Sequence, residues 1–518
     1  MNPTLVNHFL ENSAERLPDK IALVCGDQRI SYAQIDDMSE GLAQALAGMG
    51  MRRQDRVVIF LENSIEAVAG LFGVLKAGGI FIMLNPAIKS KRLRQILNDC
   101  GAIAVISHVK DGATIKKAVA GAPKIQHVIW VAAEKNPRSV TRNGVSEHLW
   151  SEALTQKADA VPAASVSQID IDLAAIIYTS GSTGEPKGVM SAHYNVVAVA
   201  RSVIAYLKNT QDDIILSTLP LSYGYGLYQV LTAFMSGGTV VLEPSFVFPY
   251  RVMERMVHEK VTGFPIVPTI AAILLQMKDL NKFAHHLRYI TNAAAALPVP
   301  HIRRLMELLP NVRIFSMYGL TECQRVSYMP PEKLAERPHS VGIPIPNCEV
   351  LVVDEEGREV RPGQVGELVV RGANVMQGYW NSPEETAQQF RPGTYRAEAM
   401  LHTGDLFRRD EEGYLYFVAR KDDMIKTKGE RVSPKEVENV ICEIDGVLET
   451  AVVGVPDEIL GQAVKAFVVC NGNPGPTING IQKRCKEHLE PFMVPKWVEF
   501  RDALPRTSNG KIDKKLLM

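Results

Sequence analysis

Over roughly the first four hundred residues, short apolar runs alternate with amphipathic stretches, a rhythm that restricts the chain to layered α/β architectures. Val57 to Leu61, Ser64 to Ala77 and Ile80 to Leu84 set the pattern, and Lys91 to Asn98 with Ala102 to Ile106 repeats it. Ile214 to Leu219, Val240 to Leu242, Phe264 to Val267, Leu287 to Thr291 and Val312 to Ser316 continue it. Runs this apolar suit parallel strands covered on both faces, so buried parallel sheets are expected.

A chain of 518 residues exceeds what one hydrophobic core supports, and the texture shows where it divides. After about residue 345, strand-like runs at Glu349 to Val353 and Gly366 to Arg371 flank the turn Asp354-Glu355-Glu356-Gly357, which predicts an antiparallel or barrel-like subdomain. A charged quartet, Arg420-Lys421-Asp422-Asp423, then separates Tyr414 to Val418 from Met424-Ile425. Beyond it Ser433 is an N-cap, Pro434 takes the first helical position and Glu436 follows three residues after the cap, predicting a helix through Ile441. Strands at Ala451 to Val455 and Val464 to Val469 and a helix over Ile481 to His488 complete a small α+β domain. The expected division is 1–420 and 421–518. Val161 to Gln168 is the candidate exposed linker.

Residues 178 to 189, Tyr-Thr-Ser-Gly-Ser-Thr-Gly-Glu-Pro-Lys-Gly-Val, follow the strand-like run Ala174 to Ile177. Thr179, Ser180, Ser182 and Thr183 offer hydroxyls, Gly181, Gly184 and Gly188 let backbone N–H groups approach phosphate oxygens, and Lys187 adds one positive charge. A flexible surface turn would explain the composition but not the buried strand that feeds it. A Walker A loop is excluded, because Pro186 precedes the lysine and Gly188 follows it.

Lysine plus arginine equals aspartate plus glutamate, 57 each, so no global field draws the chain to nucleic acid or an anionic membrane, and a small-molecule partner fits better. The seven cysteines show no Cys-x-x-Cys pair, which indicates neither a zinc site nor a disulfide framework and leaves a reducing compartment as the default. Charged residues interrupt the N-terminus too early for a signal peptide, no apolar run has the length of a membrane span, and Lys-Leu-Leu-Met at the C-terminus is not a peroxisomal address. The expected location is cytoplasmic.

With Tyr318-Gly319-Leu320-Thr321-Glu322, Thr403-Gly404-Asp405 and Asn509-Gly510-Lys511, the loop resembles the adenylate-forming superfamily of acyl-CoA synthetases, adenylation domains and firefly-type luciferases. Ala77-Gly78-Gly79, Gly366-Glu367-Leu368, Gly378-Tyr379-Trp380, Arg420 and Lys428-Gly429-Glu430 extend the resemblance nearly end to end. It implies a large layered α/β N-terminal domain with a β-rich, barrel-like subdomain, and a small mobile α+β C-terminal domain. The implied activity uses ATP and Mg²⁺ to convert a carboxylic acid to an acyl-adenylate, then passes the acyl group to coenzyme A or to the phosphopantetheine of a carrier protein. A luciferase-type oxygenase would share the first step.

By the same resemblance, Thr179 to Lys187 would hold the β- and γ-phosphates, Glu322 would organise Mg²⁺ and Thr321 would contact the α-phosphate. Asp405 and Arg420 would bind the ribose. Adenine would lie against Tyr318 and Gly319, with backbone at Ala294 and Ala295 on its other side. Lys511 would bridge the carboxylate and the α-phosphate as the catalytic lysine of the first step. Asp422 matches the hinge, and Lys428 with Gly429 the thiol channel. Tyr223 stands where many acyl-CoA synthetases have a histidine, and the stretch lacks the aspartate that amino-acid-activating domains use for the substrate ammonium. With Gly224, Gly226 and Ala293 it implies a pocket of small residues with apolar walls, suited to a fatty or aryl acid. Cys323 is read as a pocket lining rather than a catalytic thiol.

Overall fold

The computed structural model describes residues 3–132, 144–155, 167–180, 186–393, 395, 398–427, 430–457, 459–470, 475–507 and 512–518. Its two largest sheets realise the alternation read from the sequence. One has seven strands, in the order Ser146–Leu149, His127–Val131, Ala104–His108, Arg56–Phe60, Ile80–Leu84, Leu173–Ser180 and Pro186–Ala192. Its pairs are parallel except the last, an antiparallel hairpin. The other has nine strands, in the order Ile343–Pro344, Ser327–Tyr328, Arg313–Tyr318, Tyr289–Asn292, Gly263–Ile266, Ile214–Ser217, Thr239–Leu242, Ile21–Cys25 and Gln28–Ser31. Its centre is parallel and its two ends antiparallel.

The period-2 geometry of a strand explains why these runs are apolar without a break. Val57 and Ile59 point into a layer of helices that also receives Leu23, Val240 and Leu242 from the other sheet. Val58 and Phe60 point outward onto Leu93 and Ile96 of the helix Ser90–Cys100, and Val24 and Val241 onto Val252 and Met256 of the helix Pro249–His258. The result is five layers, αβαβα. Within the shared layer, Phe72 of the helix Ile65–Lys76 stacks on Phe234 of the helix Gly224–Ser236 at 5.3 Å, joining the two halves. Such a pair adds about 0.5–1.5 kcal/mol beyond its buried area. The first of these helices starts where Ser64 Oγ accepts the Ala67 N–H at 3.1 Å.

The next five strands, Cys348–Val353, Val365–Gly372, Phe390–Pro392, Ala399–Arg409 and Leu415–Arg420, form a wholly antiparallel sheet, in keeping with the change of texture near residue 345. After the short turn Lys421–Asp423, five more strands and the helices Pro434–Cys442 and Ile478–His488 enclose a separate core of Ile425, Val437, Ile441, Val464 and Ile481. The Ser433 cap forms as read, its Oγ accepting the Glu436 N–H at 3.2 Å and donating to Val418 O at 2.6 Å. The linker Val161 to Gln168 lies outside the described residues up to position 166. Among the described residues no helix is long and apolar enough to cross a membrane.

Candidate active site

The predicted site residues gather at the carboxyl ends of three strands: Thr179 and Ser180 close Leu173–Ser180, Ala293 follows Tyr289–Asn292, and Tyr318 is the last residue of Arg313–Tyr318. Ligands in open α/β sheets bind outside the carboxyl ends of strands. Residues 181–185 lie outside the described residues, as do Lys428, Gly429 and Lys511; Ser180 is described as backbone only. The flanks of the loop are visible: Thr179 and Lys187 are register partners across the hairpin and so share one face.

Lys187 Nζ lies 2.7 Å from Glu385 Oε1 and 5.6 Å from the centre of the Tyr379 ring. The Tyr379 hydroxyl in turn donates to Glu322 Oε1 at 2.7 Å. Burial and the Glu322 carboxylate push the Tyr379 phenol up, so it stays a donor. This tyrosine is placed by backbone pairing, with Met190 N–H donating to Gly378 O at 2.9 Å and Trp380 N–H to Gly188 O at 2.7 Å. Gly378-Tyr379-Trp380 was visible in the sequence only as a piece of the resemblance. Its link between Lys187 and Glu322, and the role of Glu385, had no local signal.

A second cluster forms around Asp405, which is 4% exposed. Its Oδ2 accepts from the Tyr318 hydroxyl at 2.6 Å and its Oδ1 from Arg420 Nε at 3.0 Å. Asp405 and Arg420 face each other across neighbouring strands, and the Phe407 ring packs edge-on to Tyr318 at 4.9 Å. One residue before Asp405, the Gly404 N–H donates to Glu367 Oε1 at 3.0 Å. His402, whose Nδ1 is 3.6 Å from Glu367 Oε2, acts with that N–H and with Lys421 Nζ at 3.7 Å to hold the Glu367 carboxyl below its ordinary value, at about 2. Asp422 is exposed in the turn that follows Arg420.

Among the residues expected to form the acyl pocket, Tyr223 caps the helix Gly224–Ser236, and Tyr225 donates to Thr291 O at 2.8 Å, which brings the helix start beside buried Ala293. Gly224 has no side chain because the Gln324 amide occupies the space a Cβ would need, and Gly319 lets the Gln324 carbonyl approach in the same way. Ala294, at φ +72°, and Ala295 are exposed at the end of their strand, the latter accepting from Asn292 Nδ2 at 2.9 Å. Thr321 is half-buried, its carbonyl accepting from Gln324 Nε2 at 3.3 Å. Cys323 is fully buried with Val326 and Leu368, and burial drives its thiol far up, so it is core rather than a reactive group or an open lining. Among the described residues no three His, Cys, Asp or Glu side chains gather to hold a metal.

The Tyr318–Asp405–Arg420 cluster, the Lys187–Glu385 and Tyr379–Glu322 contacts beside the hairpin Leu173–Ala192, and a small domain that follows with its own core point to an enzyme class rather than a structural module. Family models identify it: that of the AMP-binding enzymes matches residues 10–380, and that of the AMP-binding enzyme C-terminal domain residues 436–511. The chain belongs to the AMP-binding enzyme family. It is 30% identical to a long-chain-fatty-acid–CoA ligase of Bacillus subtilis (strain 168), over 100% of this chain and 94% of that one. Among solved structures, ATP-bound MatB from Rhodopseudomonas palustris superposes with a TM-score of 0.88 at 28% identity, covering 100% of this chain and 98% of the other. The anthranilate CoA ligase AuaEII in complex with anthranoyl-AMP gives 0.88 at 27%, covering 99% and 96%.

Proposed function

We propose that this chain is an AMP-forming acid–CoA ligase: it activates a fatty or aryl carboxylic acid with ATP, releasing pyrophosphate, and transfers the acyl group to coenzyme A. The observation that carries the reading is the Asp405 cluster, which gathers Tyr318, Asp405 and Arg420 from two sheets at the place where a nucleoside would sit beside the phosphate loop. A carboxylate cannot expel oxide, so its attack on the α-phosphorus must precede thioester formation. In that step two anions meet, and catalysis consists of positioning and charge neutralisation.

Asp405 and Arg420 bind the ribose hydroxyls, and Tyr318 and Gly319 with the backbone at Ala294 and Ala295 bound the base. Thr179 to Lys187 hold the departing phosphates. The Lys187–Glu385 pair is partly exposed, so exchanging that carboxylate for a phosphate costs little. Thr321 contacts the α-phosphate. Glu322 fits Mg²⁺: one carboxylate oriented by the Tyr379 hydroxyl, outside any group of three or more His, Cys, Asp or Glu among the described residues, suits a hard ion that is shared with phosphates. Bound there, Mg²⁺ supplies positive charge to the phosphate oxygens. Lys511 neutralises the meeting anions; rotation of residues 421–518 about Asp422 then exchanges it for Lys428 and Gly429 at the thiol channel.

The test is pyrophosphate release from ATP over a panel of acids, followed by addition of coenzyme A or of a phosphopantetheine-bearing carrier protein. Acid-dependent release and acyl-CoA product are expected. Product only with the carrier protein would overturn the choice of thiol, and pyrophosphate independent of any acid would overturn acid activation.

A further inference from the structure

Arg325 departs from every other buried charge among the described residues. Lys76, Asp213, Glu243, Glu259, Asp405 and Glu438 are all buried, and each meets an opposite charge: Asp36, Arg288, Arg255, Arg29, Arg420 and Lys514 respectively. Arg325 is 5% exposed and makes no ion pair among the described residues, and its Nε–H has no hydrogen-bond partner there. A buried guanidinium cannot shed its proton, so the cost of removing it from water must be met by whatever faces it.

What faces it is a cluster of phenols. The guanidinium lies over the Tyr225 ring at 5.4 Å, meets the Tyr206 phenol through its charge and a side-chain hydrogen bond, and its field reaches the Tyr228 hydroxyl. Tyr225 and Tyr228 are three apart on the helix Gly224–Ser236 and therefore share a face. Tyr225 is fixed by Thr291 and Tyr206 by Met317 Sδ at 3.0 Å, but the Tyr228 hydroxyl, 3% exposed, has no partner among the described residues. Burial keeps that phenol protonated and able to donate. The backbone aims the arginine here at a cost: Gln324 takes φ +56°, so that Cys323 enters the core on one side of the turn and Arg325 the tyrosine cluster on the other. Gln324 itself packs against Gly224, and Arg325 follows Glu322 by three residues, so the cluster adjoins both the expected acyl pocket and the reacting end.

We propose that Arg325, with the Tyr228 hydroxyl, recognises a second carboxylate on the acid, so that the preferred substrate is a fatty or aryl acid with an anionic group remote from the carboxyl that is activated. This rests on the acid-activating function proposed above. The test compares kcat/KM for acid-dependent pyrophosphate release between α,ω- or aryl dicarboxylic acids and the same acids with the second carboxylate replaced by methyl. The dicarboxylic members should be favoured about tenfold or more, the range of a hydrogen bond to a charged group. Arg325→Met should abolish or invert that preference while leaving KM for ATP unchanged, Arg325→Lys should restore part of it, and Tyr228→Phe should reduce it. Equal or better use of the neutral acids by the wild type overturns the proposal, as does a folded Arg325→Met enzyme that loses all acids in equal proportion. Should Arg325→Met not fold, the wild-type preference and Tyr228→Phe still decide. Pyrophosphate release with no acid of either kind would instead mark failure of the acid-activating function.

Discussion

Asp405→Asn separates the two things asked of this carboxylate. The substitution keeps the volume and removes the charge. The Arg420 side chain is 60% exposed, so the ion pair contributes at most roughly 1 kcal/mol. The buried bond from the Tyr318 hydroxyl to the carboxylate is worth about 1.5–3 kcal/mol, and an asparagine carbonyl would keep a neutral bond of about 0.5–1.5 kcal/mol. The amide NH₂ would then face Arg420, donor against donor. The net loss of stability is about 1–3 kcal/mol, readable as a lower urea midpoint at unchanged slope. If the same oxygens accept the ribose hydroxyls, AMP affinity falls as well, by about tenfold to a hundredfold, measured by calorimetry on the folded variant. Tyr318→Phe serves as the control for bracing alone, since it removes a donor but leaves the charged acceptor. If Asp405→Asn loses stability yet binds AMP as the wild type does, Asp405 is a brace and the ribose role is wrong. If neither quantity changes, the energetic reasoning about the buried cluster fails.

Lys511→Ala should suppress adenylation while largely sparing thioester formation from supplied acyl-adenylate, and Gly429→Trp should do the reverse; equal loss of both half-reactions in both folded variants would remove the two-conformation mechanism. Glu367 supplies a pH signature. Its folded carboxyl titrates at about 2 against an ordinary 4.5, so its contribution is complete above about pH 4.5 and is lost as pH falls through 2. Glu367→Gln should therefore be less stable than the wild type at pH 7, by on the order of 2–3 kcal/mol, with the gap between their urea midpoints closing below pH 4.5. A gap independent of pH would mean that the charge of Glu367 does not act through His402, Gly404 and Lys421.

What could be read in advance follows the range of each interaction. The Ser433 cap needs only Glu436, and the strand Arg56–Phe60 needs only its own alternation, so both are written locally. The strand Ile21–Cys25 seats itself beside Thr239–Leu242, and nothing in either run names the other. The same holds at the site. Tyr318, Asp405 and Arg420 were legible through the motifs of a resemblance, but the contacts of Lys187 with Glu385 and of Tyr379 with Glu322 come from segments that meet only after three sheets have assembled. Arg325 was passed over for a plainer reason: a charged residue reads as surface until its burial is known.

The Asp405 cluster also bears on how the small domain could move. Arg420 is the last residue of its strand and is pinned to Asp405; Lys421, the next, pairs with Glu367, which also holds the Gly404 N–H. The nucleotide-side segment 404–405 and the chain leaving the large domain are thus braced by the same two carboxylates. Rotation that preserved both pairs would have to begin beyond Lys421, and the first residue past that brace is Asp422, the position the resemblance gives to the hinge. A nucleotide that engages Asp405 and Arg420 would tighten the fixed side of such a pivot without restraining the moving side, which is what the proposed exchange of Lys511 for the thiol channel around one bound adenylate would require.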